Sequence, residues 1–302
     1  SKSANEPVEG ELQVRQEPHP PPHDSSSFLR WRKFNVHPQR QAGYFASVIT
    51  VPLGNISAGE LVKLADLAEE FGEGAFRTSQ EQNLVLRSVP EADLYPLYKR
   101  LSQIGFDSPA DSTDIVSCPG ADTCRLGICL GRNLATAVRG ELSPHEKKVS
   151  IKINGCPNAC GQHPIAQIGL QGEARRILNN LAPYYKIYLG GRVKEGKTTL
   201  ASPVGEIPAK NVPAFLNAFL NRYDQNGDGD FYEFLETGGW QEAEVLVEKF
   251  AGIPSIEADP SYYIDWGADE PFSLAGRGAG ECGAGMLALI EDDLKDAENA
   301  LK

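Results

Sequence analysis

Three observations predict an α/β (α+β) fold built in two successive parts. Short stretches alternate apolar and polar residues with period two, other stretches repeat apolar residues at helical spacing, and the two kinds are interleaved. Tyr44–Val51 alternates as a strand. Ser57–Phe71 has helical spacing, with Ser57 as N-cap and Glu60 three positions on, the signature of a capping box. Gly74–Thr78 and Asn83–Ser88 read as strands, and Glu91–Ile104 as a second helix. The order β-α-β-β-α predicts a small ferredoxin-like α/β layer over residues 28–110.

A second α/β part is expected over residues 111–250. Ile115–Ser117 leads into a cysteine-bearing loop, Cys124–Val138 reads as a helix starting against that loop, and Val149–Asn154 is an alternating strand. Ala166–Gln171 and Tyr184–Gly190 read as further strands, and Pro208–Tyr223 and Gly239–Phe250 as helices. Residues 1–27 are rich in Pro, Glu, His and Ser and are expected to form a linker or arm. Residues 251–302 are expected to be an irregular tail with a Gly-rich stretch around Cys282 and a terminal acidic helix.

Composition narrows the function classes. With 302 residues, 41% apolar and 23% charged, the chain can bury a sizeable core. A formal net charge of −12 argues against a general nucleic-acid binder. No run reaches the ~18 apolar residues of a membrane span, and the polar, acidic first residues lack the form of an export signal. Six cysteines are too few for a disulfide scaffold at this length, so thiols in a reducing, cytoplasmic compartment are the expectation. The chain opens on Ser1 and its sole methionine is Met286, which suggests a processed chain or a piece of a longer one.

Four cysteines carry the chemistry. Cys118-Pro-Gly-Ala-Asp-Thr-Cys124 and Cys156-Pro-Asn-Ala-Cys160 deliver thiolates from two tight turns, each at the end of an expected strand. Their C-x5-C and C-x3-C spacings differ from the C-x2-C knuckles of structural zinc sites and suit an iron–sulfur cluster. A structural zinc is the alternative. Pro119 and Pro157 stiffen the loops, and backbone amides in Gly-rich turns would offset the thiolate charge.

The string Val149-Ser-Ile-Lys-Ile-Asn-Gly-Cys156-Pro-Asn-Ala-Cys160-Gly-Gln resembles the cluster signature of sulfite and nitrite reductases that couple sirohaem to a [4Fe–4S] cluster. The preceding cysteine pair, Tyr188-Leu-Gly-Gly-Arg192 and Arg77-Thr-Ser-Gln-Glu-Gln-Asn83 match too, and the resemblance runs from about Phe28 to Phe250. It implies that Cys118, Cys124, Cys156 and Cys160 ligate the cluster, with Cys160 also bridging to the sirohaem iron. It also implies six-electron reduction of sulfite to sulfide or nitrite to ammonia, a small anionic substrate, and a ferredoxin or flavoprotein electron donor.

By motif match, Arg77, Gln82, Asn83, Thr123 and Asn158 are expected near the sirohaem, whose eight carboxylates call for polar and cationic donors. Lys152 and Arg125 are weaker candidates. The chain resembles the second of the family's two related halves. The place of a substrate-binding arginine in the first half's version of the Arg77–Asn83 motif is held here by Glu81, which cannot serve an anion. No catalytic residue is therefore assigned to this chain, and the cations that hold the substrate are expected on a first-half domain or subunit. Two other classes stay open: an electron-transfer module using the cluster alone, and a zinc-stabilised interaction domain.

Remaining motifs have simpler expectations. Asp224-Gln-Asn-Gly-Asp-Gly-Asp230 copies the start of a calcium loop, but its twelfth position is Leu235 rather than glutamate, so a chance match is expected. Cys129 reads as a buried thiol and Cys282 as a packing or surface residue.

Overall fold

In a computed structural model, residues 26–275 are described, except 112–113, 144, 146 and 227–228. The arm up to residue 25 and the Gly-rich tail with Cys282 lie outside the described residues. The chain divides into two compact units, one formed by residues up to 51 together with 55–110, the other by 52–54 and the residues from 111 onward.

In the first unit α1 (Ser26–Asn35) leads into β1 (Val36–Pro38), followed by β2 (Tyr44–Ile49), α2 (Ala58–Glu70), β3 (Phe76–Thr78), β4 (Leu84–Pro90) and α3 (Leu94–Ile104). The four strands form an antiparallel sheet in the order β1-β2-β4-β3. The expected capping box starts α2: the Glu60 amide donates to Ser57 Oγ at 3.2 Å and the Ser57 amide to Glu60 Oε2 at 2.8 Å. Helix α1 was not expected, because only Phe28, Trp31 and Phe34 mark its buried side within a basic, polar segment. Phe28 and Trp31 join Leu64, Leu67, Leu97 and Leu101 in the core of this unit.

The second unit contains β5 (Val116–Ser117), α4 (Gly131–Glu141), β6 (Ile151–Asn154), β7 (Ile168–Ile177), β8 (Asn180–Leu189), β9 (Ser202–Pro208), α5 (Val212–Gln225), the short α6 (Phe231–Phe234) and α7 (Trp240–Phe250). Its sheet runs β5-β6-β7-β8-β9, with β5, β6 and β7 parallel and the last two junctions antiparallel. Strand alternation decides the packing. Ile151, Ile153, Ile168, Leu170, Tyr185, Ile187 and Leu189 join one core with the apolar sides of α4, α5 and α7. The opposite face carries Lys152, Asn154 and Gln171, all buried.

One expectation needs correction. The helix expected from Cys124 starts at Gly131, because Gly127, Leu130 and close backbone packing hold residues 123–130 as a loop. Residues 251–275 are irregular apart from a short turn at Pro260–Tyr263, and they are held to the second unit: Tyr263 packs on Ala182 and Tyr184, and Trp266 Nε1 donates to Ala209 O at 2.8 Å. The calcium-like segment also has other work. Asp230 caps α6 through the Tyr232 and Glu233 amides, at 2.8 and 3.0 Å, and Asp224 Oδ2 lies 2.6 Å from His145 Nδ1.

Candidate metal centre

The topology explains why two distant cysteine pairs meet. Cys118 directly follows β5, and Cys156 lies two residues beyond β6, its parallel neighbour. Parallel pairing puts both strand ends, and so both loops, on one edge of the sheet, the usual location of ligand sites in such sheets. The Cys118 amide donates to Ile153 O at 3.1 Å, and the Ile128 and Cys129 amides both donate to Gly155 O, at 2.9 and 2.8 Å. These bonds stitch the loops together backbone to backbone.

Glycine makes that approach possible. A Cβ on Gly155 would lie 2.4 Å from Cys129 O and 2.8 Å from Gly120 Cα. Gly120 itself has a φ of +63°, and its Cβ would lie 2.6 Å from both Cys129 O and Gly131 N. No side chain fits at either position.

All four cysteine sulfurs share one electrostatic neighbourhood. Burial pushes the Cys156 thiol up, neighbouring Cys118, Cys160 and Cys124 push it the same way, and only the Asn158 backbone amide opposes them. Four thiolates held together this way repel one another unless a cationic core sits between them. Among the described residues no three His, Cys, Asp or Glu side chains are arranged around a single metal ion. Four sulfurs delivered by two tight loops with C-x5-C and C-x3-C spacing suit a polynuclear cluster. Amide donors are also in place, since the Gly155 N–H reaches Cys118 Sγ at 3.2 Å. Cys118 and Cys156 are buried, Cys124 is half-buried and Cys160 is exposed. The residues therefore fit a [4Fe–4S] cluster whose open side is that of Cys160.

The residues expected at a sirohaem wall fall into two groups. Thr123 and Asn158 are exposed on the two cysteine loops. Arg77, Gln82 and Asn83 stand on the β3–β4 hairpin of the first unit. Arg77 is exposed, with its Nε 3.0 Å from Glu73 Oε1, and Gln82 turns the hairpin with a φ of +62°. Asn83 is buried, and its Oδ1 accepts the Val51 amide at 2.8 Å. Asn83→Ala is expected to cost about 2 kcal/mol in a urea titration, because the buried Val51 amide loses its acceptor. An unchanged midpoint would remove this structural role.

Sequence reasoning missed a buried polar group beside the loops. Lys152, expected on a solvated face, is 5% exposed and its Nζ donates to Gln162 Oε1 at 2.8 Å. Asn154 and His163 are joined, and His163 in turn meets Gln171, which accepts from Tyr188 Oη at 3.1 Å. Burial holds the His163 imidazole below its usual range, opposed by its bond to Gln171. The signal was present in the strand itself: in Ile151-Lys-Ile-Asn154 the polar residues alternate strictly with core isoleucines. The expected buried thiol, Cys129, is fully buried, although in the loop before α4, with Sγ 3.4 Å from Glu173 O.

Paired cysteine loops at the ends of parallel strands, grouped for a cluster, define an iron–sulfur protein. Residues 37–104 match the nitrite/sulfite reductase ferredoxin-like half domain, and residues 109–249 the nitrite and sulphite reductase 4Fe-4S domain. The chain belongs to the nitrite/sulfite reductase family, whose cofactors are a [4Fe–4S] cluster and sirohaem. Among its relatives, the ferredoxin–nitrite reductase of Synechococcus elongatus is 35% identical over 177 residues, covering 55% of this chain and 34% of the relative. The chloroplastic ferredoxin–nitrite reductase of Zea mays is 32% identical over 209 residues, covering 64% and 36%. The chain thus spans about a third of the length of these relatives. The NirA protein of Mycobacterium tuberculosis shares the fold with a TM-score of 0.60 at 20% identity, over 70% of this chain and 41% of that one.

Proposed function

We propose that this chain is the cluster-bearing half of a reductase that reduces nitrite to ammonia or sulfite to sulfide by six electrons. The grouping of four thiols with Cys160 alone exposed carries this reading. Cys118, Cys124, Cys156 and Cys160 would hold the cluster, and Cys160, the exposed one of the four, would be the sulfur shared with the sirohaem. When bound, the two cofactors supply one-electron transfer and a metal centre for the substrate. The chain's part is to exclude water behind Cys118 and Cys156 and to direct amide N–H groups at sulfur. Thr123 and Asn158, exposed on the same loops, would meet sirohaem carboxylates, and Arg77, Gln82 and Asn83 are proposed as sirohaem contacts on their motif match alone.

The substrate-holding cations belong to a first-half domain or subunit, in keeping with the third of its relatives' length that the chain spans and with Glu81, exposed on the β3–β4 turn. A ferredoxin is the favoured electron donor, by analogy with the ferredoxin-dependent relatives. No described helix is long and apolar enough to cross a membrane; a cytoplasmic location is proposed because a thiolate-ligated cluster needs a reducing compartment. Anaerobic reconstitution with iron and sulfide, then sirohaem, is expected to give a brown protein and then a haem-like Soret band. A colourless chain holding stoichiometric zinc would sink the proposal.

A further inference from the structure

The amide of Asn154 is buried at the foot of the second cysteine turn, 1% exposed and one residue before Gly155. Its Oδ1 accepts the His163 backbone N–H at 3.2 Å and lies 3.1 Å from His163 Nδ1. A backbone N–H only donates, so this end of the amide is the oxygen, and Nδ1 must carry the ring proton. The Nδ2 group therefore faces the other way, buried and with no hydrogen-bond partner among the described residues.

An orphaned buried donor of this kind costs about 1–3 kcal/mol, so its retention calls for an acceptor. The surroundings indicate which one. A Cβ on Gly161 would lie 3.2 Å from Asn154 Oδ1 and 3.0 Å from the Cys118 amide nitrogen, so the amide sits where both cysteine loops converge. The adjacent Gly155 N–H is already directed at Cys118 Sγ. The acceptors that a loaded centre brings here are sulfurs: cysteine thiolates and inorganic sulfide.

We propose that Asn154 is a positioning residue of the centre, donating through Nδ2 to a sulfur of the bound cluster and raising its reduction potential. The inference rests on the cluster reading above. A donor to sulfur stabilises the added electron, so the more negative, reduced state gains most. His163 fixes which way the amide points. Gln171 and Tyr188 hold His163 from behind: the ring bonds the Gln171 side chain, and Gln171 is in turn held by Tyr188 Oη at 3.1 Å.

The test is a redox titration of the full chain reconstituted with iron and sulfide, read by electron paramagnetic resonance of the reduced cluster. Asn154→Leu is expected to disfavour reduction about tenfold, equivalent to a potential about 59 mV lower for one electron. His163→Phe is expected to shift the potential the same way but less, since the backbone N–H still holds Oδ1. An Asn154→Leu potential equal to wild type overturns the inference. If that variant does not load, an unshifted His163→Phe potential overturns it equally. A wild-type chain that takes up no cluster defeats the underlying cluster reading instead.

Discussion

Gly155→Ala is expected to lower the melting temperature of the second unit by roughly 6–12 °C. The added methyl group would meet Cys129 O at 2.4 Å and Gly120 Cα at 2.8 Å, both backbone atoms. No flexible side chain can swing aside, so the loops must separate. Separation strains the bonds from the Ile128 and Cys129 amides to Gly155 O, which are 2.9 and 2.8 Å long. Overpacking of this type costs about 3 kcal/mol at the upper end of its usual range, and a domain of this size loses about 2–4 °C per kcal/mol. A thermal melt followed by circular dichroism measures the effect. A change under 2 °C would show that the loops have slack the structure does not reveal. Loss of the cluster at ordinary temperature should accompany the shift, since the same glycine holds the two cysteine pairs together.

Cys156→Ser and Cys160→Ser are expected to separate the two roles proposed for these cysteines. Cys156 is buried beside the other three cysteines, so its replacement would remove a proposed ligand where solvent has little access. Iron retention should fall by more than the roughly 10–100-fold typical of changes in a metal's outer shell. Cys160 is exposed, and its loss should weaken cluster binding less while abolishing coupling to sirohaem. The readouts are iron content after gel filtration and the cluster's magnetic resonance signal with and without sirohaem. Equal iron loss in both variants, or a coupled signal surviving in Cys160→Ser, would remove the distinction.

What could be read from the sequence, and what could not, follows from the range of the forces involved. The α2 start was legible because the Ser57–Glu60 capping box is local, closed within three residues. The cysteine spacings were legible because ligand chemistry imposes them along the chain. Strand β9 was missed, since Ser202-Pro-Val-Gly-Glu-Ile-Pro208 has two prolines and a glycine and is a strand only through its pairing with β8. The helix start was set seven residues early, at Cys124, because apolar spacing cannot show that Gly127 and Gly155 bring three backbones into contact. The Asn154–His163 pair spans nine residues across the second cysteine loop, so only the fold makes it visible. Lys152 shows the same limit in reverse: its charge suggested solvent, whereas its place between two isoleucines already indicated the far face of the strand.

The parallel pairing of β5 with β6 has a kinetic consequence. Val116 and Lys152 are partners although 36 residues apart, with all of α4 between them. The β7–β8 hairpin closes between Ile177 and Asn180, almost without a loop. Local pairings form early and distant ones late, because a long loop loses entropy before any contact repays it. The two cysteine pairs therefore meet among the last events of folding, on a hairpin already formed. If the four thiols hold a cluster as proposed, its insertion would act as a trap that draws the final docking of β5 forward.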